Sequence, residues 1–251
     1  MNSLKIHHGD NLPIMKEMLP ESFSLVYTDP PFNTGKKQRL GNMAFSDAFG
    51  KDFLAMLKPR IIETKRLLSP SGSLFLHLDC REVHYTKVLL DTIFGRQSFM
   101  NEIIWAYDYG GRSKKRWSAK HDNILWYVKD PKNYTFNYEE MDRIPYMAPG
   151  LVGPKKAARG KTPTDVWWHT IVPTQGKERT GYPTQKPLGI IERIVRVHSN
   201  PGDVLLDPFA GSGTLGDAAV RNGRGAVLID SNPEAISTMK KRFSQMALES
   251  T

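Results

Sequence analysis

The chain has 251 residues, enough to bury one sizeable core, and this length predicts one embellished domain rather than two. Lys and Arg exceed Asp and Glu for a net charge of +9, which favours a polyanionic partner of the nucleic-acid kind. A single cysteine, Cys80, excludes an intramolecular disulfide and a cysteine-rich zinc site. No charged leader with an apolar run opens the chain and no stretch of about 18 apolar residues occurs, so a cytoplasmic protein without a membrane span is expected.

In chain order, residues 4–8 read as a short strand running into Gly9-Asp10, residues 12–19 as a helix and residues 23–27 as a buried strand. That strand exits into Asp29-Pro30-Pro31-Phe32, which brings a carboxylate, two rigid imides and an aromatic ring to one point. Proline lacks an N–H and fixes φ, so Pro30 and Pro31 can aim a carbonyl outward without drawing the chain back into the sheet. The grouping suits the exocyclic amine of a planar base: Asp29 and the Pro30 carbonyl accept its two hydrogens, and Phe32 stacks on the ring. A plain strand-to-loop exit would use the same turn chemistry.

Residues 52–68 have helical spacing with Pro59 expected to kink them; residues 73–78 form a strand after the Pro70-Ser71-Gly72 turn, and residues 81–94 a helix. Strands are expected at 103–107 and 124–128. From 108 to 181 the pattern changes. Arg112, Lys114, Lys115, Arg116 and Lys120 interleave with Trp117, and Tyr134, Phe136, Tyr138 and Tyr146 precede a Pro/Gly/Lys-rich stretch at 149–163. Such cations neutralise phosphates, and aromatics support an extruded base or pack locally. The plain alternative is a solvated loop with a small core of its own. Residues 153–162 superficially resemble a phosphate loop, but the gap between Gly153 and Gly160 is too long and no apolar strand precedes it. The histidines show no helix-spaced pair, and His77 with His84 has no thiolate neighbours, so no metal is expected.

Residues 203–206 read as a strand, Asp207-Pro208-Phe209-Ala210-Gly211-Ser212-Gly213-Thr214 as a glycine-rich turn, and 215–221 as a helix. A strand, a turn of this kind and a helix start present backbone N–H groups to a cofactor, and glycine allows close approach. The next strand, 225–229, ends in Asp230, where an acidic side chain commonly bonds ribose hydroxyls. Gly211 to Gly216 also matches the G-x-G-x-x-G pattern, so a nicotinamide-dependent oxidoreductase is a rival reading. Against it, little chain follows Asp230 to complete a dinucleotide fold, and Asp207 suits a positively charged amino-acid moiety better than a pyrophosphate.

Taken together, Gly9-Asp10, Thr28 to Asn33, Pro183-Thr184-Gln185-Lys186-Pro187, the block from Asp207 to Thr214, and Asp230 resemble the S-adenosylmethionine-dependent amino-methyltransferases of DNA over nearly the whole chain. Catalytic block first and cofactor block last is the order of that family's beta class; Phe32 stands where tyrosine is commoner. If the strands before Asp207 and Asp230 are the first two of the sheet, those before Asp10 and Asp29 are the third and fourth. The expected fold is therefore α/β: a Rossmann-like S-adenosylmethionine-dependent methyltransferase fold, circularly permuted, with an inserted DNA-recognition region. Residues 1–107 and 182–251 would form the catalytic and cofactor-binding domain and 108–181 the DNA-contacting insertion.

The resemblance implies methyl transfer from S-adenosylmethionine to the exocyclic amine of a flipped base in double-stranded DNA, adenine N6 being preferred. Cytosine N4 is the alternative, in a group that more often carries serine in place of Asp29. The intact block from Asp29 to Phe32 weighs against an inactive DNA-binding subunit, and the surroundings of Cys80 lack the proline-cysteine setting of the cytosine-C5 enzymes. The resemblance also implies cofactor contacts: Asp10 near the adenine, Asp230 at the ribose, Asp207, Phe209, Gly211, Gly213 and Thr214 at the methionine end, and Thr184 and Lys186 at its carboxylate. For Lys186 the plain reading is a helix-start lysine before Pro187. A homodimer and a cognate restriction endonuclease are further partners that the family admits.

Overall fold

A computed structural model describes residues 3–40, 43–173, 175–176, 178–244 and 248–250. Its elements are β1 (Leu4–His8), α1 (Asn11–Glu17), β2 (Phe23–Thr28), β3 (Lys36–Leu40), β4 (Met43–Asp47), α2 (Phe53–Leu67), β5 (Leu68–Leu78), α3 (Val83–Phe94), β6 (Phe99–Ala106) and β7 (His121–Val128). There follow α4 (Pro154–Arg159), β8 (Val166–Trp168), α5 (Leu188–His198), β9 (Val204–Asp207), α6 (Thr214–Arg221), β10 (Gly225–Asp230), α7 (Pro233–Arg242) and β11 (Leu248–Ser250).

One sheet runs in the order β11-β1-β10-β9-β2-β5-β7-β6-β8, and β3 and β4 form a separate hairpin. The strands from β11 to β5 are parallel, whereas β7 runs antiparallel to β5 and β6. Near-continuous apolar strands such as Leu25-Val26-Tyr27 and Leu74-Phe75-Leu76 are what a sheet covered on both faces requires. Leu25, Phe75, Leu215 and Leu228 pack on one face with Ile190 of α5 and Met239 of α7. Val26, Leu74 and Ile229 pack on the other with Met15, Leu57 and Leu90 of α1, α2 and α3.

The permutation is present as expected. β1 pairs with β10, Ile6 opposite Leu228 and His8 opposite Asp230, and β2 lies beside β9. Counted from β9, the next strands are β10, β1 and β2, the last on the far side of β9, so the strand order reverses at the β9/β2 boundary. Open α/β sheets bind ligands at such a switch point.

Several elements differ from expectation. β5 starts at Leu68 and includes the Pro70-Ser71-Gly72 segment, with a register shift opposite Phe23/Leu25. The β3–β4 hairpin had no clear periodic signal. Within 108–181, β7 is an interior strand and β8 the sheet edge. Tyr134 and Phe136 pack on Trp126, with centroids 5.8 Å away in each case, Phe136 staying 39% exposed. Among the described residues no helix is long and apolar enough to cross a membrane, and no group of His, Cys, Asp and Glu is placed to hold a metal ion.

Candidate active site

The carboxyl ends of β1, β2, β9 and β10 open on one cleft of about 520 Å³. Asp10, Asp29, Pro30, Pro31, Phe32, Thr184, Lys186, Asp207, Phe209, Gly211, Thr214 and Asp230 all line it. Gly213 lies just behind the lining. Its φ of +74° needs glycine, and a Cβ there would come 2.9 Å from Met239 and Phe243.

At the ends of β9 and β10, Gly211 N–H donates to Asp230 Oδ2 at 2.8 Å and Asn232 N–H to Asp230 Oδ1 at 2.8 Å, which hold the carboxylate at the strand end. Phe209 N–H donates to Asp207 Oδ1 at 3.0 Å. Burial pushes the carboxyl of Asp207 well above the usual range despite that bond, and Asp29 and Asp230 add like charge. Burial also raises Asp230. An opposite charge brought beside these carboxyls would favour their ionised form. Asp10 caps α1 by accepting from Leu12 N–H at 3.0 Å, and the same oxygen takes Arg60 Nη2 at 2.7 Å. Arg60 Nε reaches Asn11 Oδ1 at 2.6 Å, and Asn11 Nδ2 donates to the Pro208 carbonyl at 2.6 Å, so the two halves of the cleft are tied directly.

At the end of β2, the turn after Phe32 is clamped. Asn33 has φ +53°, a conformation asparagine tolerates, and its Oδ1 accepts from Phe49 N–H at 2.8 Å and Gly50 N–H at 2.9 Å. Asn33 N–H donates to Asp47 Oδ1 at 2.9 Å. Lys186 Nζ donates to Asp29 Oδ2 and lies 5.0 Å from the centre of the Phe32 ring. The other oxygen, Asp29 Oδ1, is buried and has no hydrogen-bond partner among the described residues. A buried acceptor left open is costly unless a ligand supplies the donor.

Below Phe32 runs a chain of polar groups. Tyr27 OH meets His77 Nδ1 at 2.7 Å, His77 Nε2 meets Asp122 Oδ2 at 3.2 Å, and Tyr107 OH donates to Asp122 Oδ1 at 3.0 Å. Asp122 is held below the usual carboxylate range against its burial, chiefly by its bond to His77.

Arg112, Lys114, Lys115, Arg116, Trp117 and Lys120 stand outside the cleft, on the connection between β6 and β7. Arg112 pairs with Asp108, and Lys120 Nζ donates to the Tyr109 carbonyl. Sequence reading missed Tyr27, Asp47, Arg60 and Tyr182, all of which line the cleft. Tyr27 could have been found from its place two residues before Asp29; the others carry no local signal.

Residues 23–241 match the DNA methylase family of N6 and N4 methyltransferases. The type II methyltransferase M.HpaI of Haemophilus parainfluenzae is 34% identical over 229 residues, 91% of this chain and 70% of that protein. DNA adenine methyltransferase YhdJ of Escherichia coli (strain K12) is 32% identical over 252 residues, 95% of this chain and 82% of that protein. The solved M1.HpyAVI–SAM complex is similar with a TM-score of 0.68 at 26% identity, covering 96% of this chain and 98% of that one.

Proposed function

We propose, from the premise that this chain belongs to the DNA methylase family, that its cleft methylates the exocyclic amine of a flipped base in double-stranded DNA, adenine N6 by preference. The protein is an S-adenosylmethionine-dependent DNA methyltransferase, and the nicotinamide oxidoreductase reading falls with that assignment. Gly216 lets α6 pack closely on the sheet, as either reading requires: a Cβ there would meet Leu228 at 2.7 Å.

The buried open acceptor Asp29 Oδ1 is the observation that carries the reading. One amine hydrogen goes to this oxygen and the other to the Pro30 carbonyl, which orients the nitrogen lone pair into the cleft. Lys186 holds the opposite oxygen and so directs Oδ1 at the base. Phe32 stacks on the ring. Bound S-adenosylmethionine would supply an electrophilic methyl group on a sulfonium, with Asp207 toward its positively charged methionine end and Asp230 toward its ribose. Attack by nitrogen forms one N–C bond, breaks the methyl–sulfur bond and releases one amine proton, for which Asp29 is a placed acceptor. No covalent enzyme intermediate is required, so the rate rests on positioning and electrostatics.

Adenine is favoured by aspartate rather than serine at position 29 and by the similarity to an adenine methyltransferase. Digestion of methylated DNA to nucleosides and mass measurement tests this: N6-methyladenine is expected, and methyl label found only as N4-methylcytosine would overturn the choice of base. The basic connection from Arg112 to Lys120, with the parts of 108–181 outside the sheet, forms the proposed DNA-contacting surface around a catalytic unit of 1–107 and 182–251. A second copy of the chain, a cognate restriction endonuclease and a cytoplasmic location belong to the same proposal.

A further inference from the structure

We propose that Trp117 is the wedge that enters the duplex where the target base leaves it, while Lys114, Lys115 and Arg116 hold the flanking phosphates. This rests on the DNA methylase reading and goes beyond it, because the cleft residues receive the flipped base but do nothing to fill the gap left behind.

Trp117 is 98% exposed, the highest value among the large exposed hydrophobics of the described residues. One exposed apolar side chain is ordinary; a fully exposed indole on a built turn is less so. Ser118 Oγ accepts from Ser113 N–H at 2.7 Å and Ser113 Oγ from Lys115 N–H at 3.1 Å, so the two serines close the tip 114–117 into a compact turn. At its root, Arg112 pairs with Asp108, Lys120 Nζ donates to the Tyr109 carbonyl, and Tyr107 N–H donates to the Lys120 carbonyl at 2.9 Å. These contacts occupy Arg112 and Lys120 within the loop. Among the described residues, none forms an ion pair with Lys114, Lys115 or Arg116, so the tip presents three consecutive cations and one ring together.

The loop is also in the right place. It leaves the carboxyl end of β6, on the sheet edge where Asp29 ends β2's exit, and enters β7 at His121. Tyr107 at one end and Asp122 at the other are bonded to each other, and Asp122 continues through His77 to Tyr27 in the cleft wall. The root of the turn is therefore linked through three hydrogen bonds to Tyr27, which lines the cleft. A base rotated out of a duplex leaves two neighbours unstacked, and a flat apolar ring restores stacking to both, as apolar wedges do in proteins that open base steps. Cations beside the ring hold the adjacent backbone phosphates and so keep the gap from closing.

The test uses the full-length protein with S-adenosylmethionine and a duplex carrying the recognition sequence, found by modification mapping of methylated DNA, with 2-aminopurine at the target position. At saturating wild-type protein the fluorescence should rise as the base flips. W117A should give less than about a quarter of that rise, W117F at least about half, and a duplex with an abasic site opposite the target should restore W117A to within about twofold of wild type. Cofactor calorimetry on each variant checks folding. A full wild-type rise with W117A would overturn the wedge, as would complete loss of duplex binding by W117A, which would make Trp117 a simple docking contact. Failure of wild-type protein to methylate any DNA would instead sink the methylase reading itself.

Discussion

Lys186 Nζ donates to Asp29 Oδ2 across 157 residues of sequence, and both side chains are largely shielded, at 13% and 16% exposure. The pair joins the turn after β2 to the segment that starts α5. It divides the two Asp29 oxygens into one held by Lys186 and one, Oδ1, that is buried without a hydrogen-bond partner among the described residues.

If Asp29 Oδ1 receives the target amine, Asp29→Ala should lower methyl transfer by roughly 10²-fold or more while cofactor binding changes little. Radiolabelled transfer and calorimetry measure the two separately. Retained activity would remove Asp29 from the chemistry.

Lys186→Met should lower kcat by about tenfold or more, because the methionine leaves Asp29 without its cation in a shielded site. The affinity for S-adenosylmethionine should fall much less. A large loss of cofactor affinity with kcat unchanged would put Lys186 on the cofactor's carboxylate, as the family resemblance implies, and not on Asp29.

Replacing Lys114, Lys115 and Arg116 together by alanine should flatten the dependence of log K on log salt by roughly 2 to 3 units, about 0.9 for each phosphate that is no longer neutralised. The three side chains are exposed, so the melting temperature should stay put. An unchanged salt slope would move the DNA surface elsewhere.

His198 is buried against Phe75, Trp126 and Phe136, and burial lowers its pKa from 6.5 to about 3. Between these two values the unfolded chain binds a proton that the folded chain refuses. Stability from this group is therefore complete above pH 6.5 and declines as pH falls toward 3, with a limiting slope of about 1.4 kcal/mol per pH unit. Urea denaturation from pH 7 to 4 should show this slope in wild type and a shallower one in His198→Phe. Equal slopes would refute the assignment.

Much of the site was legible from local chemistry. Strands buried on both faces must be nearly continuous apolar runs, so the ends at Asp10, Asp29, Asp207 and Asp230 could be read directly. The turn at Gly211 and Gly213 announced itself because glycine takes a positive φ without steric cost. The order of these blocks then implied the permuted sheet, since the acidic strand ends need to meet at one edge.

Tertiary structure decided the contacts between distant elements. Nothing in the spacing of Lys186 shows that its ammonium lies on Asp29, or that Arg60 binds Asp10 and Asn11. The same holds for Tyr27, His77 and Asp122, which come from three different strands and meet only through the pairing of β2, β5 and β7. Tyr134 and Phe136 look identical in sequence to base-stacking aromatics, and pack locally because the chain after β7 folds back over Trp126. Periodicity records which face of its own element a side chain occupies; its partner depends on how separate elements pack, which no short stretch of chain encodes.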